Sequence, residues 1–245
     1  MTFEVTIPVL NEQADLEKQV KKLHGFLSEN FPEKGLWKIV IADNGSTDRT
    51  PEIAESLCRN FEEIKLVKVP KRGVGLALKT SWRQSEADIV GYMDLDLATD
   101  LAHFKMVMDV LVRQDYDLVY ATRLHRDSVV IGRSLKREIT SRVFNLILKI
   151  YLGVRFSDGM CGFKFLKRQH LQKLMDAGAV SDGWFFSTEL LTTAEWGGLK
   201  IFELPVKWTD DTTDSKVKIA PLALEYLRAM KVLKKRKPQN RHGKI

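Results

Sequence analysis

The sequence predicts an α/β fold, a mostly parallel central sheet with helices on both faces. Three observations carry that prediction. Strand-like runs alternate with amphipathic helical stretches through the first half of the chain, the order expected of parallel strands joined by crossover helices. One of these runs, residues 87–93, is apolar enough to be a strand buried on both sides. Polar clusters follow the ends of four runs, where the ligands of such sheets bind, outside the carboxyl ends of the strands.

Residues 3–7 form the first strand, stopped by Pro8. Between residues 12 and 30, Leu16, Val20, Leu23, Phe26 and Leu27 recur with helical spacing. Residues 38–42 are the second strand; either Asp48 or Thr50 caps the next helix, whose first turn suits Pro51. Strand three covers 64–69, and a helix after Lys71-Arg72-Gly73-Val74-Gly75 runs to about Gln84. The strand at 87–93 precedes a helix at 101–114 and a strand at 117–121. The second half is less regular. Helices are expected at 137–152, 171–177 and 184–195, a loop entering a strand at 157–166, a strand at 200–204, a loop at 208–217 and a last helix at 221–235. The expected organisation is a single domain over 1–220, then a C-terminal helix and basic tail over 221–245.

With 245 residues, 44% of them hydrophobic, the chain can bury one sizeable core. No run approaches the roughly 18 apolar residues of a membrane span, and the N-terminus carries no leader pattern. Cys58 and Cys161 have neither disulfide-framework nor metal-type spacing, so a reducing compartment is the default. The net charge of +7 is uneven. After Glu225 there is no acid, while Arg228, Lys231, Lys234, Lys235, Arg236, Lys237, Arg241 and Lys244 follow. Such a tail suits anionic lipid or nucleic acid, or is a solvated terminus. No recognition module or aromatic–basic interleaving supports nucleic acid.

Asp94-Leu95-Asp96 ends the buried run. Two carboxylates there need positive charge nearby, and a divalent cation on a phosphate would supply it, unless the segment is simply a solvated loop. Pro8 to Glu12, Asp43-Asn44-Gly45-Ser46 and Thr122-Arg123 end the other strands. Gly73-Val74-Gly75 lacks the third glycine and the position of a dinucleotide fingerprint, and no P-loop is present. A nucleotidyltransferase or a glycosyltransferase remains; both set acidic residues and a divalent ion against a diphosphate.

At this point the chain resembles the family 2 glycosyltransferases of GT-A fold, and more narrowly the dolichyl- and polyprenyl-phosphate mannose and glucose synthases. The resemblance covers almost the whole chain. It rests on Ile7-Pro8-Val9-Leu10-Asn11-Glu12, Val40-Ile41-Ala42-Asp43-Asn44-Gly45-Ser46-Thr47-Asp48-Arg49-Thr50, Met93-Asp94-Leu95-Asp96-Leu97, Ala121-Thr122-Arg123, the Arg133 to Arg137 segment, Asp158-Gly159-Met160-Cys161-Gly162-Phe163-Lys164, Trp184-Phe185-Phe186 through Glu189-Leu190-Leu191, Leu204-Pro205-Val206-Lys207-Trp208 and Asp214-Ser215-Lys216-Val217.

The resemblance implies an inverting, metal-dependent hexose transfer from a nucleotide diphospho-sugar, of UDP-glucose or GDP-mannose type, to a polyprenyl phosphate. Pro8, Asn11, Glu12 and Asp43 would line the nucleoside pocket. Asp94 and Asp96 would hold Mg2+ or Mn2+, with Asp94 also near the sugar and Asp96 the principal ligand. Arg123, Arg137 and Ser141 match acceptor-phosphate positions, and Lys216 would close over the donor or the acceptor phosphate. Asp158 is a base, a positioning group or a loop acid capping a turn. Cys161 reads as a small packed residue, and Trp184, Phe185 and Phe186 as core or pocket wall.

The chain departs from the family pattern at Asn44, where much of the family has an acid, at Ser187, where many relatives have Asp, and at Ala98, where some mannose synthases have Gln. The stretch from Ile139 to Val154 is apolar around most of its circumference; it is either an interfacial helix with basic flanks or a helix buried between the sheet and the C-terminal helices. The expected location is peripheral, on the cytoplasmic face of an anionic membrane, with a membrane-protein partner as a further candidate. A soluble transferase with a small acceptor and a catalytically silent scaffold are the rival readings.

Overall fold

The computed structural model describes residues 1–210 and 219–238. Among these, seven strands form one sheet in the order β3-β2-β1-β4-β7-β5-β8. They are β1 (Phe3–Val9), β2 (Trp37–Asp43), β3 (Ile64–Lys68), β4 (Ile89–Met93), β5 (Leu118–Thr122), β7 (Phe163–Lys167) and β8 (Ile201–Pro205). All pair in parallel except β7, which runs antiparallel between β4 and β5. The expected α/β architecture is therefore present, with one reversed strand inside the sheet, next to the central β4.

Helices α1 (Leu16–Asn30), α2 (Thr50–Asn60) and α4 (His103–Val112) pack against one face, through Phe3, Val5, Ile7, Ile39, Ile41, Phe163 and Phe165. The other face carries α3 (Val74–Gln84), α5 (Leu135–Leu152), α6 (Leu171–Ala177), α7 (Phe186–Trp196) and α8 (Ile219–Lys235). Strand periodicity divides the side chains: Ile89 and Met93 of β4 enter the first core, Val90 and Tyr92 the second. Tyr226, Met230 and Leu233 pin α8 to the second core.

Pro8 does not end the first strand; β1 continues to Val9. Phe3 and Val9 turn their backbone groups toward β2, so Pro8 turns its nitrogen toward β4. Pairing with β4 already stops at Thr6, so the missing N–H costs no ladder bond. The expected loop at 208–217 begins inside a strand, β9 (Lys207–Thr209), which pairs in parallel with β6 (Val129–Ile131). Three-residue strands carry too little alternation to be legible in sequence. Other boundaries shift by a few residues; the helix expected from residue 12 starts at Leu16, and that from Trp184 starts at Phe186.

Candidate active site

The carboxyl ends of β1, β2, β4 and β5 lie along one edge of the sheet, so the four polar clusters converge as expected. Because β7 is reversed, its N-terminal end reaches the same edge. The loop 158–162 thereby enters the site, a placement that the strand order alone decides.

Strand β4 ends at Met93 and the chain turns, with Leu97 N–H donating to Asp94 O (3.2 Å) and Ala98 N–H to Asp96 Oδ1 (3.0 Å). Leu97 sits at φ 51°, a left-handed conformation that a branched side chain adopts at some cost. The turn brings both carboxylates to one crevice, lined also by Met93, Ala98, Thr99, Gly162 and Trp208. Burial, and then the neighbouring Asp96 charge, push the Asp94 carboxyl up to about 7, against the pull of Arg123 and Lys164. Gly162 accepts the Asp94 N–H at 3.2 Å, and a Cβ on Gly162 would overlap the Asp94 carboxylate.

These features fit a hard divalent cation. Two carboxylates repel each other in a partly buried crevice, and among the described residues no group of three His, Cys, Asp or Glu is placed to hold a metal ion by itself. That donor set suits an ion that takes its remaining ligands from substrate phosphates and water.

The cationic side of the site adjoins this crevice. Arg123 grips Asp158 with two bonds, Nε to Oδ2 at 2.8 Å and Nη2 to Oδ1 at 3.0 Å. Burial opposes the charged form of Asp158, but Arg123 outweighs it and holds the carboxyl down at about 2. Both carboxylate oxygens are thus engaged by the Arg123 side chain. Arg137 pairs with Asp210, and Ser141 accepts a bond from Arg133. Arg133 also bonds Glu138 at 3.1 Å, while its buried Nε has no partner among the described residues. The guanidinium carbons of Arg123 and Arg133 lie 5.5 and 5.9 Å from the Trp208 ring centre. Strand β9 holds Trp208 there, bridging to Thr99 and donating from Thr209 N–H to Ala98 O at 2.9 Å.

Pro8, Asn11, Glu12 and Asp43 gather at the ends of β1 and β2. Asn11, at φ 56°, accepts the Thr47 N–H at 2.8 Å and donates its own N–H to Ser46 Oγ at 2.9 Å. Glu12 N–H donates to Thr50 Oγ1 at 2.8 Å, and buried Asp43 accepts Ser46 N–H at 3.1 Å. Neither expected residue caps α2: its N-cap is Arg49, with no side-chain cap bond, and Thr50 is the first helical residue; Asp48, one residue earlier, closes a turn by accepting the Thr50 N–H at 2.9 Å. Buried Asn44 accepts Gly73 N–H, tying β2 to the start of α3, so its neutral amide has a structural task. Phe185 and Phe186 are core, Trp184 is exposed, and the buried Cys161 thiol is pushed up to about 11, as befits a packed residue. Lys216 lies outside the described residues.

Arg133, Trp208 and Lys164 stand in the motifs quoted above, but no role came with them. Lys164 had a legible signal: a lysine within an apolar strand must find partners.

Residues 4–175 match the Glycosyl transferase family 2. The chain is 31% identical over 214 residues to Glycosyltransferase AglD of Haloferax volcanii, covering 87% of this chain and 34% of that protein. It is 26% identical over 237 residues to the dolichyl-phosphate beta-glucosyltransferase of Saccharomyces cerevisiae, covering 89% of this chain and 70% of that protein. The chain thus spans about a third of AglD's length. Among solved structures, glucosyl-3-phosphoglycerate synthase from Mycobacterium tuberculosis with UDP superposes with TM-score 0.68 at 22% identity, over 98% of this chain and 82% of that one. The same enzyme with Mn2+, UDP-glucose and glycerol 3-phosphate gives 0.66 at 23% identity, over 98% of this chain and 82% of that one. These likenesses establish the GT-A fold.

Proposed function

The chain belongs to glycosyltransferase family 2, and from that premise we propose that it moves a hexose, with inversion, from a nucleotide diphospho-sugar to a polyprenyl phosphate at a membrane surface. One observation carries the reading. Trp208 lines the Asp94–Asp96 crevice and also underlies the Arg123 and Arg133 guanidiniums, so a metal–diphosphate end and a phosphate end share one wall. A dolichyl-phosphate glucosyltransferase among the relatives supports the acceptor, and Mn2+ and UDP-glucose in the structural neighbour support the donor class.

In the proposed reaction an acceptor phosphate oxygen forms the new bond to the anomeric carbon. The bond from that carbon to the diphosphate breaks, and its electron pair leaves with the diphosphate. Asp43, Asn11, Glu12 and Pro8 hold the nucleoside end. Asp94 and Asp96 would hold Mg2+ or Mn2+, which when bound neutralises the leaving diphosphate. A phosphate monoester, with its second pKa near 6, is mostly ionised at neutral pH and needs little base. The chain's task is alignment: Arg123, fixed by Asp158, and Arg137 with Ser141 orient the phosphate.

No helix among the described residues is long and apolar enough to cross a membrane. Helix α5 offers a surface instead. Leu135, Ile139, Val143, Leu146 and Ile150 are all more than half exposed. Beside them lie exposed Arg142 and Lys149, and α8 adds exposed Arg228, Lys231, Lys234 and Lys235. Lys234 Nζ sits 4.0 Å from the Tyr151 ring centre, so the basic face adjoins the apolar one. Such a patch suits peripheral docking on an anionic, cytoplasmic leaflet.

The test is incubation with radiolabelled UDP-glucose or GDP-mannose, Mn2+ or Mg2+, and either polyprenyl phosphate or 3-phosphoglycerate as acceptor, beside calorimetric binding of the nucleotide sugar with and without the metal. Label entering the organic phase supports the reading. Label that stays in water on 3-phosphoglycerate would favour a small acceptor, and absence of metal-dependent nucleotide-sugar binding a silent scaffold.

A further inference from the structure

Lys164 is a fully buried cation that the proposed reaction does not use. It lies mid-sheet on β7, opposite Tyr92 of β4 and Tyr120 of β5. Its Nζ donates to Cys161 O at 2.5 Å, Ser187 Oγ at 2.7 Å and Gly159 O at 3.3 Å. Those three acceptors match the three protons of an ammonium. Ser187 Oγ is also saturated, accepting from Tyr92 OH at 2.6 Å and donating to Gly159 O at 3.3 Å. Among the described residues every direct partner of Lys164 is neutral. Charge compensation comes through space from Asp158 and Asp94, with Arg123 opposing it. Burial pulls the ammonium down to about 8, so it remains mostly charged at neutral pH.

A desolvated charge with only neutral contacts is an expensive way to fill a core, since an apolar residue would pack there more favourably. What the ammonium holds explains it. Two of its acceptors are carbonyls of the loop 158–162, and the ends of that loop serve opposite halves of the site. At one end Asp158 grips Arg123; at the other Gly162 backs Asp94.

We propose that Lys164 is a positioning residue for both halves of the site: its ammonium clamps the 158–162 loop, presenting Asp158 to Arg123 and seating Gly162 behind Asp94. The inference rests on the donor and acceptor reading above, and its test separates the two.

The whole chain is examined by two measurements: calorimetric binding of UDP and of GDP in Mn2+, and amide hydrogen exchange at residues 159–162. Wild-type protein that binds neither nucleotide rejects the donor reading, and exchange alone then decides the clamp. Where binding is seen, Lys164→Met should weaken it at least about tenfold, as loss of a group supporting a metal ligand does. The same variant should speed exchange at Gly159, Met160, Cys161 and Gly162 beyond any change elsewhere. Lys164→Gln keeps two N–H donors and should fall between wild type and Lys164→Met. Ser187→Ala removes one acceptor and leaves two carbonyls, so it should shift both readouts the same way by less; it decides the question if Lys164→Met does not fold. Unchanged exchange at 159–162 with affinity within about twofold of wild type, or a uniform rise in exchange across the chain, would overturn the proposal.

Discussion

Arg123 and Asp158 meet fork to carboxylate, at 2.8 and 3.0 Å, with the arginine side chain 13% exposed and the aspartate 0%. The pair sits between the end of β5 and the loop into β7, so an ion pair crosses the reversal in strand direction that builds the site. Removing one partner leaves the other charge buried. Asp158→Asn should therefore cost about 3–5 kcal/mol, read as a lower urea midpoint at pH 7.

The same pair sets an acid limit. The folded Asp158 carboxyl is near 2, below its unfolded value of 3.8, so the unfolded chain binds the proton more readily. The pair's contribution is complete above about pH 4 and is lost as pH falls through 2, amounting to about 2 kcal/mol. The gap between the urea midpoints of wild type and Asp158→Asn should narrow by about that amount over the interval; a constant gap rejects the assignment.

Asp96 is exposed, and its Oδ1 accepts the Ala98 N–H. Asp96→Ala should lower transfer at least about 100-fold and remove Mn2+-dependent nucleotide binding. The melting temperature should move by only a few degrees, because surface changes cost little. Substantial retained turnover would rule out the metal role.

Arg137 pairs with Asp210, and the proposed reaction assigns it to the acceptor phosphate. Arg137→Ala should raise the acceptor KM about tenfold or more while the donor KM stays near wild type. Equal rises in both constants would move Arg137 out of the acceptor site.

Ile139, Val143, Leu146 and Ile150 form an exposed stripe on α5. Replacing all four with Ser should reduce sedimentation with vesicles containing phosphatidylserine at least about tenfold, since buried apolar area drives such docking. Transfer to a short-chain, water-soluble polyprenyl phosphate should be unaffected. Undiminished vesicle binding would relocate the docking face.

Much of the candidate site's layout was legible because strand ends are local features. Asp94-Leu95-Asp96 announces itself as two acids after a buried strand, and Thr122-Arg123 as a cation at the next strand end. Whether the helix ending at Leu152 is buried or interfacial was not legible. Its apolar residues nearly encircle it, and only the packed helix leaves Ile139 and Ile150 outside while Leu148 and Leu152 go in. The short strand β9 was likewise hidden, and with it the position of Trp208.

By itself the sequence determined the α/β class, the order of most elements and the edge where the polar clusters meet, because apolar period and strand ends are written locally in the chain. The tertiary structure alone decided that β7 runs backward between β4 and β5. That reversal brings Asp158 to Arg123, Gly162 to Asp94 and Lys164 beneath their shared loop. Hydrophobic pattern specifies a strand and its faces, but strand direction and neighbours depend on long-range pairing, which no local spacing encodes.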